Sequence, residues 1–325
     1  MKAIRIHQFG PTEDVLQYEE VATPTPGTQE LLVKVEAASL NRADLTLRRG
    51  GYRVKPEDLP LTPGREFAGT VASVGSEVRE FQVGQRVVSQ PALGGYAEYA
   101  SAKPAHTRPL PEGMDSVTAA AMPTVFLTAW FALHEDGQIK SGEHVLIQAG
   151  ASGVGTAAIQ IAKHVGARVI TTAGTEEKCR RLRALGADEA IDYTAKDFKA
   201  EVLRLTTGRG VDVVLEIAGG EIYQKSLEVL APGGRLVAIG GPAGAIPDAP
   251  PPLKEGRRAT RFSITNYLAS HPDKFSQLDS FLALVQEKKF KVVIDRTFPL
   301  KEARAAQRYL EGREHFGKIV LTMTG

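Results

Sequence analysis

Through the first 110 residues apolar positions come in short runs that stop at proline or glycine. Lys2–His7, Leu31–Ala37, Gly69–Val74, Arg86–Ser89 and Tyr96–Ala100 are the β-rich runs, punctuated by Pro24–Gly27, Pro63–Gly64, Gly75, Gly84 and Gly94–Gly95. This pattern predicts an all-β domain, a small distorted barrel. From Ser116 the period lengthens, and SVTAAAMPTVFLTAWFALHEDG reads as one or two helices. Beyond it, strands at Val145–Gln148, Arg168–Thr172, Glu189–Asp192, Val211–Ile217 and Arg235–Ile239 alternate with helices at Gly155–Val165, Glu176–Leu185, Asp197–Thr206 and Tyr223–Leu230. Strict alternation predicts a parallel sheet with right-handed crossovers, a doubly wound α/β domain. The Pro/Gly/Ala-rich Gly240–Pro252 reads as a linker. Helices over Pro272–Glu287 and Lys301–Leu310 and strands over Val292–Thr297 and Lys318–Met323 complete the chain.

Composition narrows the class. At 325 residues with 42% apolar content, two domains with full cores are expected. Lys and Arg total 40 against 38 Asp and Glu, so no broad attraction to nucleic acid or an anionic membrane is written into the chain. The one cysteine, Cys179, rules out an internal disulfide and a thiolate zinc cluster. No apolar run approaches membrane-spanning length, and MKAIRIHQFG does not read as a secretory signal. A soluble cytoplasmic protein is the expectation.

The candidate chemistry centres on HVLIQAGASGVG, His144–Gly155. A strand ends here in a cluster of small residues and a helix follows. The first-turn N–H groups of a helix lack intrahelical partners and its dipole favours an anion, so Gly150, Ala151, Ser152, Gly153, Val154 and Gly155 are candidates to hold a dinucleotide pyrophosphate. The tip of the second strand, Thr171–Thr175, carries no carboxylate for a ribose 2′-hydroxyl, and Lys178 follows one turn on.

An ordered set of motifs covers essentially the whole chain: PGREFAG (Pro63–Gly69), Val74-Gly75, Gly84 with Arg86-Val87, GYAEY (Gly95–Tyr99), Leu127-Thr128-Ala129, the small-residue turn, Gly186-Ala187-Asp188, PGGR (Pro232–Arg235) and GKIVL (Gly317–Leu321). In these the chain resembles the medium-chain dehydrogenase/reductase superfamily, in its zinc-free quinone oxidoreductase (zeta-crystallin-like) branch. The resemblance implies a GroES-like β domain at 1–122 with 292–325, and an NADP-binding Rossmann domain at 123–291. It implies NADPH as cofactor, with Gly174, Lys178 and Tyr193 at the 2′-phosphate. It also implies Thr128, Gly240 and Gly241 near the nicotinamide, Phe262 near the ribose–nicotinamide end and Lys318 near the phosphates. On the acceptor side it implies Asn41 and Tyr52 as pocket residues, and Thr46 where the family carries a second tyrosine.

No metal is expected. Asn41 and Arg65 occupy the segments where zinc-dependent relatives place cysteine and histidine, and neither a carboxamide nor a guanidinium is a good zinc ligand. Without a Lewis acid, hydride addition to a conjugated acceptor is favoured, because a quinone or α,β-unsaturated carbonyl spreads the incoming charge itself. The expected function is therefore a zinc-independent NADPH-dependent reduction of a small quinone, enal or enone, in a homodimer by family analogy. Enoyl-thioester reduction, or a non-catalytic NADPH-binding regulatory or stress protein, stand as alternatives.

Overall fold

The alternating runs of the first hundred residues become antiparallel sheet, one face on a core. The computed structural model describes residues 1–52, 54–240, 244–247 and 249–323. It divides into two compact units, Met1–Thr124 with His271–Gly325, and Val125–Ser270.

In the first unit β1 (Lys2–Ile6) pairs with β2 (Leu16–Glu20). β3 (Leu31–Ser39) leads into a short helix, α1 (Arg42–Arg48), and is followed by β4 (Phe67–Val74), β5 (Arg86–Ser89), β6 (Tyr99–Ala102) and β7 (Thr107–Pro109). β3 pairs antiparallel with both β4 and β6. The helical period after Ser116 is two helices, α2 (Ser116–Ala120) in this unit and α3 (Pro123–Phe131), most of which belongs to the second. Leu31, Val33, Val35, Phe67, Val71, Val87 and Tyr96 are buried together in the core of this unit.

The second unit alternates as the sequence predicts. β8 (His144–Ile147), α4 (Gly153–Val165), β9 (Arg168–Ala173), α5 (Glu176–Leu185), β10 (Glu189–Asp192), α6 (Phe198–Leu205), β11 (Val211–Glu216), α7 (Gly220–Glu228) and β12 (Leu230–Ala238) follow one another. Two elements fall where no regular structure is expected from the sequence, β13 (Arg258–Arg261) and α8 (Ile264–Ser270). The sheet order is β10-β9-β8-β11-β12-β13, with every pairing parallel. The first strand therefore lies between the second and the fourth. This is the Rossmann order, with its topological switch point outside the carboxyl ends of β8 and β11. β11 is buried along its whole length, as expected for a strand covered on both faces.

The chain then returns to the first unit through α9 (Gln277–Gln286), β14 (Ile294–Pro299), α10 (Ala303–Glu311) and β15 (Lys318–Thr322). β15 inserts beside β3, with Val320 opposite Ser39. The return begins at His271, earlier than the expected residue 292. Its physical reason is the packing of this segment. Phe275, Leu278, Phe281 and Leu282 are buried, Phe275 lies 5.7 Å from the His106 ring, and Gln286 donates to the Glu112 carbonyl. No described helix is long and apolar enough to cross a membrane.

Leu146 is wholly buried in β8, against Ile170 and Val214 of the flanking strands. Leu146→Ala should lower the unfolding free energy by about 2–5 kcal/mol, read by denaturant unfolding followed on the parallel-sheet unit. A loss below about 1 kcal/mol would be inconsistent with this core position.

Candidate active site and cofactor cradle

In the small-residue turn the backbone passes close to itself. Ala149 adopts a left-handed φ of 50°, so the strained position of this turn is an alanine and not one of its glycines. Ser152 caps α4, its hydroxyl accepting the Gly155 N–H at 3.0 Å. Gly153 and Val154 open the helix, where no preceding turn supplies acceptors for their N–H groups. A side chain on Gly155 would come within 2.6 Å of the Ala149 and Gly150 carbonyl oxygens, and one on Gly150 within 2.1 Å of the Thr171 hydroxyl. The turn is thus closed tightly enough that these two positions admit only glycine, and it leaves the helix N-terminus open to an anion.

At the tip of β9 the structure brings Gly174 and Tyr193 together. A Cβ on Gly174 would meet the Tyr193 hydroxyl at 2.9 Å, and the Tyr193 N–H donates to the Ala173 carbonyl. Tyr193 is 45% exposed. Lys178 lies in the first turn of α5, where its N–H is capped by the Thr175 hydroxyl. Glu176, the first acid after the strand tip, is paired with Arg183. Thr128 is buried in α3, and Gly240 follows β12. Phe262 is buried, donates its N–H to the Ala238 carbonyl and packs against Tyr267. Gly241 lies outside the described residues.

A buried polar chain absent from the sequence reading links the two strand ends of the switch point. Glu216 closes β11 and accepts the N–H groups of Ala218 and Gly219 on one oxygen and the Ser226 hydroxyl on the other. Gln148 donates to Ser226 at 3.0 Å, Thr172 donates to Gln148 at 2.6 Å, and the Ala149 N–H donates to Thr172 at 3.2 Å. The chain ends on the strained residue of the turn. Burial pushes the Glu216 carboxyl above its ordinary value, and the bonds from Gly219, Ser226 and Ala218 only partly oppose this.

In the first unit the candidates gather on α1 and the turn that closes it. Asn41 precedes α1, and its N–H donates to Asp44 at 2.9 Å. Thr46 is exposed in the middle of the helix, and its carbonyl accepts the Gly51 N–H. Tyr52 is 49% exposed at a left-handed φ of 62°, with the Arg65 guanidinium 4.9 Å from its ring centre.

Lys318 requires a correction. It is expected near the cofactor phosphates, yet it is only 4% exposed and its ammonium donates to the Leu40 carbonyl at 2.7 Å, to Asn41 Oδ1 at 2.8 Å and to Glu66 Oε1 at 2.8 Å. All three of its donors are committed inside the β unit. Glu66, wholly buried, also accepts from Asn41 Nδ2, Ser39 and the Thr124 N–H. Burial pushes its carboxyl up, but the Lys318 charge and these bonds outweigh burial and hold it below the ordinary value. Nearby Asp44 accepts from the Tyr96 hydroxyl and the Asn41 N–H instead. Burial raises its carboxyl against these two bonds, and the Tyr96 phenol is pushed well up by burial and by Asp44. Sequence reading passes over Glu66. The available signal is a pair of charged residues, Glu66 directly before β4 and Lys318 at the first position of β15, each leading a buried apolar run.

Among the described residues no three His, Cys, Asp or Glu side chains are grouped to hold a metal. Fold and site together define a two-unit protein, with a β unit carrying buried polar chemistry and a Rossmann sheet carrying a dinucleotide-type cradle. The description "Alcohol dehydrogenase GroES-like domain" matches residues 27–112, and "Zinc-binding dehydrogenase" matches residues 185–321. The human quinone oxidoreductase is 32% identical over 326 residues, covering 99% of this chain and 98% of that protein. The crystal structure of Escherichia coli quinone oxidoreductase complexed with NADPH superposes with a TM-score of 0.91 at 30% identity, covering 99% of this chain and 100% of that one. A segment of a phenolphthiocerol/phthiocerol polyketide synthase from Mycobacterium tuberculosis is 35% identical over 95% of this chain, which spans only 14% of that much longer protein. The chain belongs to the quinone oxidoreductase family of zinc-free medium-chain dehydrogenases/reductases.

The raised Glu216 carboxyl carries a stability prediction. A carboxyl with a folded pKa above its ordinary 4.5 favours the fold when protonated, and that contribution is lost as pH rises through the folded value. Glu216→Gln removes the ionisation and keeps an acceptor for Ala218 and Gly219. Its thermal midpoint relative to the native protein should therefore improve from about pH 5 to about pH 8; a difference that worsens over this range would contradict the assignment.

Proposed function

We propose that the chain is an NADPH-dependent, metal-independent reductase whose acceptor is a small quinone or the activated C=C bond of an α,β-unsaturated carbonyl. The observation that carries the cofactor reading is the neutral tip of β9, where Tyr193 lies over Gly174, Lys178 is one turn away and Glu176 is paired with Arg183. A phenol, a backbone without a side chain and an ammonium suit a dianionic 2′-phosphate, which a carboxylate there would repel. The open N-terminus of α4, with Gly150, Ala151, Ser152, Gly153, Val154 and Gly155, holds the pyrophosphate. Thr128, Gly240, Gly241 and Phe262 serve the nicotinamide end. When bound, NADPH supplies the hydride.

On the acceptor side Asn41 donates a carboxamide N–H to the carbonyl oxygen as negative charge develops there, and Tyr52 shapes the pocket. Thr46 in place of an aromatic residue leaves that pocket wider. The likeness to the crystal structure of CurK enoyl reductase, at 30% identity and a TM-score of 0.87, supports a second reading, in which the acceptor is an enoyl thioester. The enzyme acts in the cytoplasm as a homodimer. β13 favours this association, because it borders the parallel sheet and pairs only with β12 among the described residues.

Steady-state NADPH oxidation with ortho-quinones, enals and acyl-thioesters tests the reading. Turnover on the first two classes is expected, and Asn41→Ala should lower kcat/KM by about 10²–10³-fold. No turnover on any acceptor, or an unaltered Asn41→Ala enzyme, would overturn it, and a preference for thioesters would move the assignment to enoyl reduction. Lys178→Ala should raise KM for NADPH about tenfold or more while leaving KM for NADH unchanged, as loss of one charge-assisted phosphate contact requires. An equal change for both cofactors would remove Lys178 from the 2′-phosphate site.

A further inference from the structure

Asn41 is held at both ends of its side chain. Lys318 can only donate and Glu66, ionised, can only accept, so their chemistry fixes which end of the carboxamide is oxygen. Oδ1 takes the Lys318 ammonium at 2.8 Å and Nδ2 gives one hydrogen to Glu66 Oε1 at 2.8 Å. A flipped amide would set nitrogen against ammonium and oxygen against carboxylate. The second Nδ2 hydrogen has no acceptor among the described residues.

The lock is built from distant parts of the chain. Glu66 stands before β4 and Lys318 begins β15, and the two meet at 2.8 Å with 0% and 4% of their side chains exposed. Solvent does not screen this pair. A buried ion pair is poor evidence of a stability device, because the desolvation of both charges offsets their attraction. It does impose direction. A cation on Oδ1 polarises the carboxamide and strengthens its remaining N–H as a donor.

We propose that Glu66 and Lys318 are positioning residues for Asn41, locking its carboxamide in one orientation and polarising it so that its second N–H is presented to the acceptor oxygen. This rests on the reading of Asn41 given above, and it gives Lys318 a role in turnover rather than in cofactor affinity. Neither residue touches the acceptor; both act through Asn41.

The test is the double variant Glu66→Gln/Lys318→Met, which removes both charges and leaves no lone buried ion. It is made in the native protein and in Asn41→Ala. In the native background kcat should fall about ten- to a hundredfold, with the Kd for NADPH unchanged. In the Asn41→Ala background the same pair of changes should cost less than about twofold, because the residue they act through is gone. An unchanged kcat in the native background would overturn the inference. So would an equal loss in both backgrounds, which marks a general structural role, or weakened NADPH binding with kcat retained, which marks Lys318 as a phosphate contact. If Asn41→Ala itself turns over normally, it is the reading of Asn41 that fails. Should the double variant not fold, ¹⁵N NMR of the native protein decides. The Asn41 side-chain amide, identified by its loss in Asn41→Ala, should show one proton strongly protected from solvent exchange, the one donated to Glu66. Two protons that both exchange at the rate of an exposed carboxamide would overturn the lock.

Discussion

The buried contact between Lys318 and Glu66 is the constraint on which the β unit turns. Its members stand 252 residues apart in the chain, and both are nearly without solvent. Neither charge can be left alone in such a place, so the strand that begins with Lys318 must lie where Glu66 can be reached. That strand is β15, and it lies against β3, the strand that also pairs with β4 and β6. Asn41 stands two residues past the end of β3, and α1 follows it. The polar end of the sheet and the orientation of the candidate donor are therefore consequences of one electrostatic requirement.

The two units treat a buried carboxylate in opposite ways. Glu66 has an ammonium beside it and lies below its ordinary pKa despite complete burial. Glu216 has only N–H and hydroxyl donors, and burial prevails. The first arrangement keeps a charge and uses it to orient an amide. The second uses a polar chain to hold the turn after β11 and, through Ser226, Gln148 and Thr172, the turn after β8. Both turns lie at the carboxyl edge of the sheet, where a doubly wound fold receives its ligand. The strained Ala149 is tolerated there because Thr172 takes its N–H and its carbonyl takes the N–H of Ser152.

Much of this was legible from local pattern. Period, punctuation and the small-residue turn locate the strands and helices of the parallel sheet, because each is a property of a few adjacent residues. At the tip of β9 the missing carboxylate and the nearby Lys178 were legible for the same reason, whereas Tyr193 came only from the resemblance, because its approach to Gly174 joins two separate strand ends. What was not legible depends on distant partners. α1 is short and rich in charge, with Asp44 and Arg48 buried, and it resembles a loop until Tyr96 and the Gln307–Glu311 stretch are seen to take up those charges. The return to the β unit at His271 depends on Phe275 finding His106 and Arg108. Lys318 resembles a phosphate ligand in sequence because nothing local shows that Glu66 has claimed it.

The acceptor-side candidates are held by separate contacts. The Asn41 carboxamide is held by Glu66, directly before β4, and by Lys318 of β15, neither of them on α1. Thr46 and Tyr52 depend instead on the closing turn of α1. A Cβ on Gly51 would come within 2.5 Å of the Thr46 methyl, so that turn lies directly against Thr46. The Arg65 guanidinium lies 4.9 Å from the Tyr52 ring centre. A substitution at residue 46 therefore leaves both bonds to the Asn41 carboxamide in place. The acceptor selectivity proposed for Thr46 and the chemistry proposed for Asn41 thus rest on separate contacts, so a threonine where the resemblance implies an aromatic residue is compatible with that chemistry.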